Sequence, residues 1–165
     1  WKLNPFAGYG GKNEAEDMTP DELRMAEEEA DMDGQLVDYK EKGHQVEYMG
    51  KEPVEGSDAY KLKVTLKNGD IKYIFLDAET FLDVKQTSKR KINDTEIEAE
   101  TFFGDYKEVN GVMIPYSIEA GAVGMPQRQK LGVEKIEFDV PVEDSRFAKP
   151  AALPPAEIAP AAPPK

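Results

Sequence analysis

The sequence predicts a mainly β (α+β) protein: a curved antiparallel sheet, or incomplete β-barrel, with one helix packed on its apolar face. Three observations predict it. Tyr60, Leu62, Val64 and Leu66 alternate strictly with Lys61, Lys63, Thr65 and Lys67, the period that gives a strand one apolar and one wet face. Asn68-Gly69 and Asn110-Gly111 each stand between two alternating runs, and Asn-Gly tolerates the positive φ values of a two-residue type I′ hairpin turn. Thr19-Pro20-Asp21-Glu22 combines an N-cap, a first-turn proline and a capping-box glutamate ahead of Leu-Arg-Met-Ala, which is a helix start.

Taken in order, residues 1–12 (WKLNPFAGYGGK) are aromatic and Gly-rich and read as a strand end entering a loop. A polar connector leads to the helix, which the pattern extends through Met32 until Gly34 interrupts it, and Gly43 ends a short second turn with Leu36, Val37 and Tyr39. Met18, Met25, Met32 and Leu36 form one narrow apolar stripe on an otherwise acidic helix, and the expectation is that they lie on the sheet. Strands are expected at 44–50, 58–67, 70–77, 80–87, 95–103, 112–119 and 130–140. Asn93-Asp94 marks a further reversal, Gly121 to Gln129 a loop, and the Val133–Ile136 spacing a bulge in the last strand. With a two-residue turn at Asn68-Gly69, Ile71, Tyr73 and Phe75 return on the face of Tyr60, Leu62 and Val64. Ile97 and Phe103, then Ile114 and Tyr116, continue it. After Pro150 the Ala/Pro-rich segment has no means of forming a core and reads as a tail. The division is therefore 1–43 (loop and helix), 44–150 (meander) and 151–165 (tail).

At 165 residues, with 39% hydrophobic and 33% charged residues, the chain is one domain's worth of a water-compatible protein. No run approaches the roughly 20 apolar residues of a membrane helix. A net charge of −12, from 33 acidic and 21 basic residues, opposes nucleic acid and anionic lipid surfaces, which need clustered Lys and Arg. Zero Cys removes disulfides and thiolate metal sites. The chain opens on Trp1 without an initiating Met, so an upstream segment is expected to have been removed.

Catalytic and metal chemistry find little to work with. Glu29-x-Asp31-x-Asp33-Gly34 imitates the start of a calcium loop, but Lys40 stands where its bidentate Glu belongs; the ordinary reading is an acidic helix end. His44 is the sole histidine and reads as a turn residue. Glu96, Glu98 and Glu100 alternate with apolar residues, as a solvated sheet face does, and supply no contrast of environments for acid–base work. Gly8-Tyr9-Gly10-Gly11 lacks the strand–loop–helix setting of a phosphate loop. No enzyme, no cofactor and no metal site is expected. The candidate hydrophobic ligand or core face comprises Met25, Met32, Tyr60, Leu62, Val64, Tyr73, Phe75, Ile97, Phe103, Ile114 and Tyr116. An ordinary core and a lipid-sized cavity both fit it.

WKLNPFAG at the start, TPDEL from Thr19, the stretch from Ala30 to Asp70, YIFLDAETFLDVKQ from Tyr73 and FFGDYKEVNGVMIPYSIE from Phe102 together resemble the outer-membrane lipoprotein-sorting (LolA-like) family over about residues 1–150. The resemblance implies an incompletely closed antiparallel barrel with helices over its open side and an apolar cavity for acyl chains. It also implies a periplasmic, non-enzymatic carrier. The family's first strands and helix precede the Trp-Pro segment, so the chain looks like the C-terminal part of such a domain. Partners implied are lipid or lipoprotein acyl chains. The open sheet edge is expected to be covered by upstream strands, a second copy or another subunit. The alternative is an accessory structural subunit or interaction module of an envelope or membrane complex, joined through that edge.

Overall fold

The structure, a computed structural model, describes Lys2, residues 15–92 and residues 95–149. The chain divides into two compact units, one of the residues up to Met32 with those from Asp139, the other Asp33–Phe138.

In the first unit helix α1 spans Pro20–Glu29. Its start forms as the sequence dictates. Thr19 is the N-cap, its hydroxyl accepting from the Glu22 amide at 3.3 Å while the Glu22 carboxylate accepts from the Thr19 amide at 2.9 Å. Glu22 also takes Lys2 Nζ at 2.6 Å. Lys2 first, then the Thr19 amide, hold the Glu22 carboxyl at about 2. A two-way backbone bridge between Lys2 and Glu16 lies beside this pair. The helix ends earlier than expected, with Ala30 as its C-cap. Acidic residues crowd that end and no base offsets the carbonyl end of the dipole, so another turn gains nothing electrostatically. Met32 is consequently outside the helix and 94% exposed, which corrects its expected place on a packed stripe; Met25 is half-buried within the unit. A single 3-10 turn at Asp144–Phe147 completes the described part.

The second unit is the sheet. Strands β1 (Gln45–Val54), β2 (Ser57–Thr65), β3 (Ile71–Asp77), β4 (Asp83–Ile92), β5 (Thr95–Val109), β6 (Val112–Ala122) and β7 (Arg128–Gly132) pair in chain order, each antiparallel to the next. The order β1 to β7 does not close on itself. This is the expected meander, with strand ends displaced. β1 runs four residues past Gly50 and turns through Glu55-Gly56, whose φ values of 49° and 94° make a type I′ turn between paired Val54 and Ser57. Asn110-Gly111, at 51° and 82°, does the same between Val109 and Val112, as expected. Asn93-Asp94 lies outside the described residues. The last strand stops at Gly132, so the bulge expected at Val133–Ile136 is absent and that segment is irregular.

One turn differs in a way that matters. At Asn68-Gly69 the Leu66 amide donates to the Asp70 carbonyl at 2.9 Å and the Gly69 amide donates to the Leu66 carbonyl at 2.8 Å. The loop is therefore the three residues 67–69, with Gly69 left-handed at φ 89°, rather than the two-residue turn expected. Asp70 adds to it, its amide donating to the Asn68 side-chain oxygen at 3.0 Å. One extra loop residue slips the register by one, and a one-residue slip moves every side chain of the returning strand to the other face. Leu62 pairs with Ile74 and Lys63 with Tyr73. Tyr73 and Phe75 thus lie on the face opposite Tyr60, Leu62 and Val64, contrary to the expectation.

Two cores follow from that register, one on each side. Val64, Leu66 and Ile74 are buried together, with Leu36, Val46 and Leu76 against them; Leu36 belongs to this unit and is the member of the expected stripe that joins a sheet core. On the other side Val54, Ala59, Phe75 and Phe102 are buried with Tyr73 and Val84 against them.

Candidate functional site

Register carries the apolar face across the sheet strand by strand. Leu62 opposes Ile74, Ile74 opposes Gln86, Gln86 opposes Thr101, and Thr101 opposes Ala120. Phe103 opposes Ile118, which opposes Leu131. Ile114 and Tyr116 share the Ile118 side of β6 by strand alternation. Of the expected face residues, the structure brings Tyr60, Leu62, Val64, Phe103, Ile114 and Tyr116 to one side. Ile97 pairs with Arg90 in the β4–β5 ladder; its side chain lies outside the described part.

The two ends of this face differ. Around Val64, Leu66 and Ile74, on and beside β2 and β3, it is covered, while Tyr48 on β1 is exposed. Over β5–β7 it is open: Phe103, Ile114, Tyr116 and Ile118 are half-buried and Leu131 is 59% exposed. Two shallow open hollows lie here. One of about 390 Å³ is lined by Ile118, Ala120, Gln129, Lys130 and Leu131. The other, about 470 Å³, lies at the end of the sheet, where it takes in Ala120, Gly121 and Ala122, Met125 and Gln127, and also Arg128 of the opposite face. Lys107 Nζ sits 4.2 Å over the Tyr116 ring and 3.1 Å from Asp105, placing charge at one end.

The opposite face is a lattice of cations on rings. Lys61 Nζ lies 5.1 Å from the Tyr73 ring and 5.2 Å from Phe75, Lys85 lies 4.8 Å from Phe102, and the Arg128 guanidinium 3.9 Å from Phe102. Buried Glu100 ties these together, accepting from Lys85 at 2.9 Å and Arg128 at 3.3 Å. Burial works against its charge, but Lys85 and then Arg128 outweigh that and hold its carboxyl below the usual range. Gly121 leaves room for the arrangement, as a Cβ there would lie 2.9 Å from the Gln127 carbonyl oxygen and 3.3 Å from Arg128 Cγ. Lys61 with Glu52, Lys63 with Glu47 and Lys130 with Glu119 extend the lattice, each at 2.9 Å. This side is a self-satisfied surface in which cation–ring contacts replace a second apolar layer.

Sequence reasoning passed over Ala120 and Leu131 of the open half and, among titratable groups, Asp83. Asp83 begins β4 opposite Leu76 at a register shift. Its Oδ1 is buried without a partner while Oδ2 accepts from Gln86 Nε2, and Tyr106 donates its hydroxyl to the Asp83 carbonyl at 2.6 Å. Burial pushes the Asp83 carboxyl up to about 7, against the Gln86 and Lys85 N–H donors, and burial with the Asp83 charge pushes Tyr106 to about 12. No pattern in the sequence marks it; only the bulge buries it. His44 proves structural, its Nδ1 accepting from the Lys67 amide at 3.1 Å. Gly34 of the calcium-loop imitation has its carbonyl taken by Lys42 Nζ at 2.8 Å. Among the described residues no three His, Cys, Asp or Glu side chains gather as a metal site, and no helix is long and apolar enough to cross a membrane.

No protein-family model matches the chain, and no curated protein matches it. Two solved structures share its fold. One is a domain assigned to outer membrane lipoprotein sorting from Vibrio parahaemolyticus, at TM-score 0.50 and 15% identity, covering 64% of this chain and 46% of that one. The other is a DUF1329 family protein from Desulfovibrio piger, at TM-score 0.51 and 19% identity, covering 64% and 45%. The chain spans about half the length of either. The expected lipoprotein-sorting-like fold is thereby shown: an unclosed antiparallel sheet with a helix.

Proposed function

We propose that this chain is part of a non-enzymatic carrier or binding protein for a lipid-modified or otherwise hydrophobic ligand, working in the bacterial periplasm. The observation that carries the reading is the open β5–β7 half of the apolar face, where half-buried Phe103, Tyr116 and Ile118 and exposed Leu131 stand by a hollow that Ala120 helps to line. An acyl chain laid there leaves water at about 0.8 kcal/mol per methylene, so a dozen methylenes offset the cost of ordering a ligand. The opposite face, saturated with ion pairs, is suited to water. The fold shared with a domain assigned to lipoprotein sorting supports the same reading. Native mass spectrometry of protein purified from bacterial periplasm tests it. Bound lipid, or a lipidated peptide, is the expected result; a protein that is lipid-free and fails to take up an alkyl probe contradicts it.

A second reading, an accessory subunit of an envelope complex, is favoured by the sheet's two edges, β1 and β7, whose outer sides pair with no other strand among the described residues. β7 ends the strand order and is exposed along its length, so its outer side is placed to take a partner strand. It requires a protein partner and no lipid.

A further inference from the structure

The apolar face carries a second feature at its β1 end. Tyr48 is 61% exposed and its ring centroid lies 6.1 Å from that of Tyr60; Phe81, 64% exposed, stacks on Tyr60 at 5.8 Å with ring planes 4° apart. Lys51 Nζ stands 4.6 Å over the Tyr60 ring.

Two backbone irregularities place these groups. The first is the bulge between Tyr48 and Lys51, where Gly50 has φ 103°. Tyr48 opposes Leu62 and Lys51 opposes Tyr60, so two residues three apart emerge on one face. A regular strand would send Lys51 to the other side, among Lys61 and Lys63; bulges re-aim side chains in this way. The second is Phe81 itself, a bulky residue at φ 60°, where non-glycine side chains are strained. The turn holds it there. The Asp77 carboxylate accepts from the amides of Glu79 and Thr80 and from the Thr80 hydroxyl, and the Phe81 amide donates to the Asp77 carbonyl at 2.9 Å. A strained residue whose ring faces water is held for something other than the core.

Charge decides what fits. On the opposite face the ammoniums of Lys61, Lys63 and Lys85 are matched by Glu52, Glu47 and Glu100. Lys51 makes no ion pair with a described residue. It is an unneutralised cation set by a bulge on an exposed aromatic cluster, in a chain of net charge −12. That overall charge opposes an anionic bilayer, so the occupant is a single molecule rather than a membrane.

We infer that the Tyr48–Tyr60–Phe81 cluster with Lys51 is the head-group end of the binding face, and that its ligand is an anionic amphiphile whose acidic group pairs with Lys51 while its chain runs over the aromatic rings. The inference rests on the carrier reading and adds the chemical class of the ligand. Tyr60 opposes Leu76 and Tyr48 opposes Leu62, so the cluster is continuous with the apolar face.

The test compares dodecanoate with dodecanol, both below micellar concentration at pH 8, on the full chain by displacement of a fluorescent alkyl probe. Dodecanoate is expected to bind more tightly. Lys51→Gln should weaken it about three- to fivefold, the scale of one exposed ion pair, and leave dodecanol unchanged. Lys51→Arg should keep the preference, and Phe81→Ala should weaken both ligands. Thermal melts check that each variant folds; Lys51 is exposed and the substitution leaves packing intact. Equal affinity for the two ligands, or a preference that survives Lys51→Gln, overturns the head-group assignment and leaves the carrier reading standing. Failure of both ligands to bind overturns the carrier reading and this inference with it.

Discussion

Replacing Asp83 with asparagine should stabilise the protein, and the gain should grow with pH. Asp83 Oδ1 is buried without a partner and its carboxyl titrates near 7 in the fold, against 3.8 when exposed. The folded state therefore favours the protonated form. Below about pH 4 both states are protonated and the group is neutral to stability. As pH rises towards 7 the unfolded chain ionises first, and stability is lost throughout that window; above 7 both states are ionised and the loss is constant. At 1.36 kcal/mol for each pH unit of displacement, the full cost is about 4 kcal/mol. Roughly 2 to 3 kcal/mol of it falls between pH 5 and pH 8.5. An asparagine side chain at this position would keep the shape, offer its oxygen to Gln86 and carry no charge. The assay is urea unfolding of both proteins at pH 5, 7 and 8.5, taking the difference at each pH so that every other titrating group cancels. The difference should widen in favour of Asp83→Asn by about 2 kcal/mol or more over that range. A difference that stays flat with pH would refute the assignment of Asp83 as a buried, protonated carboxyl.

Glu100→Gln removes the charge on which the Lys85 and Arg128 contacts are built, and should destabilise by about 1 to 2 kcal/mol, read from urea midpoints at pH 7; an unchanged midpoint would show the lattice contributes nothing. Gly121→Ala pushes a Cβ to 2.9 Å from the Gln127 carbonyl oxygen, so hydrogen exchange at 128–132 should accelerate while β2 and β3 amides stay protected. Met32→Asp, at a residue 94% exposed, should change stability by less than about 0.5 kcal/mol; a larger loss would place Met32 in a packed interface. Val64→Ala, at a side chain with no exposure, should cost about 2 kcal/mol in the same assay.

The strand pattern and the helix start were legible because both are written locally. Thr19-Pro20-Asp21-Glu22 carries its own hydrogen-bond partners, and Asn110-Gly111 carries the two positive φ values its turn needs. Asn68-Gly69 looks identical, yet the Asn68 side chain bonds to the Asp70 amide and only Gly69 of the pair is left-handed. The turn gained a residue and β3 presented Ile74 and Leu76, instead of Tyr73 and Phe75, to the apolar face. Both alternating sets of β3 are apolar enough to serve, so hydrophobicity alone did not choose between them. The cation–ring lattice explains how the rejected pair is accommodated: long Lys and Arg stems cover rings that would otherwise need a second layer. Leu36 is legible as an apolar residue that packs on the sheet, and it does so from beyond the helix, which ends at Glu29. Asp83, Lys51 and Phe81 owe their positions to a register shift, a bulge and a strained turn, none of which has a sequence signature of its own.

The central claim, that one face of the sheet takes an alkyl chain and the other does not, is tested most directly by backbone and methyl NMR of the 13C,15N-labelled chain titrated with dodecanoate. Shifts are expected on the apolar face, at Tyr48, Tyr60 and Phe81 around Lys51 and at Phe103, Tyr116, Ile118 and Leu131, with Tyr73, Phe75, Phe102 and Glu100 unmoved. Shifts centred on Phe75 and Phe102, or none at saturating ligand, would contradict it.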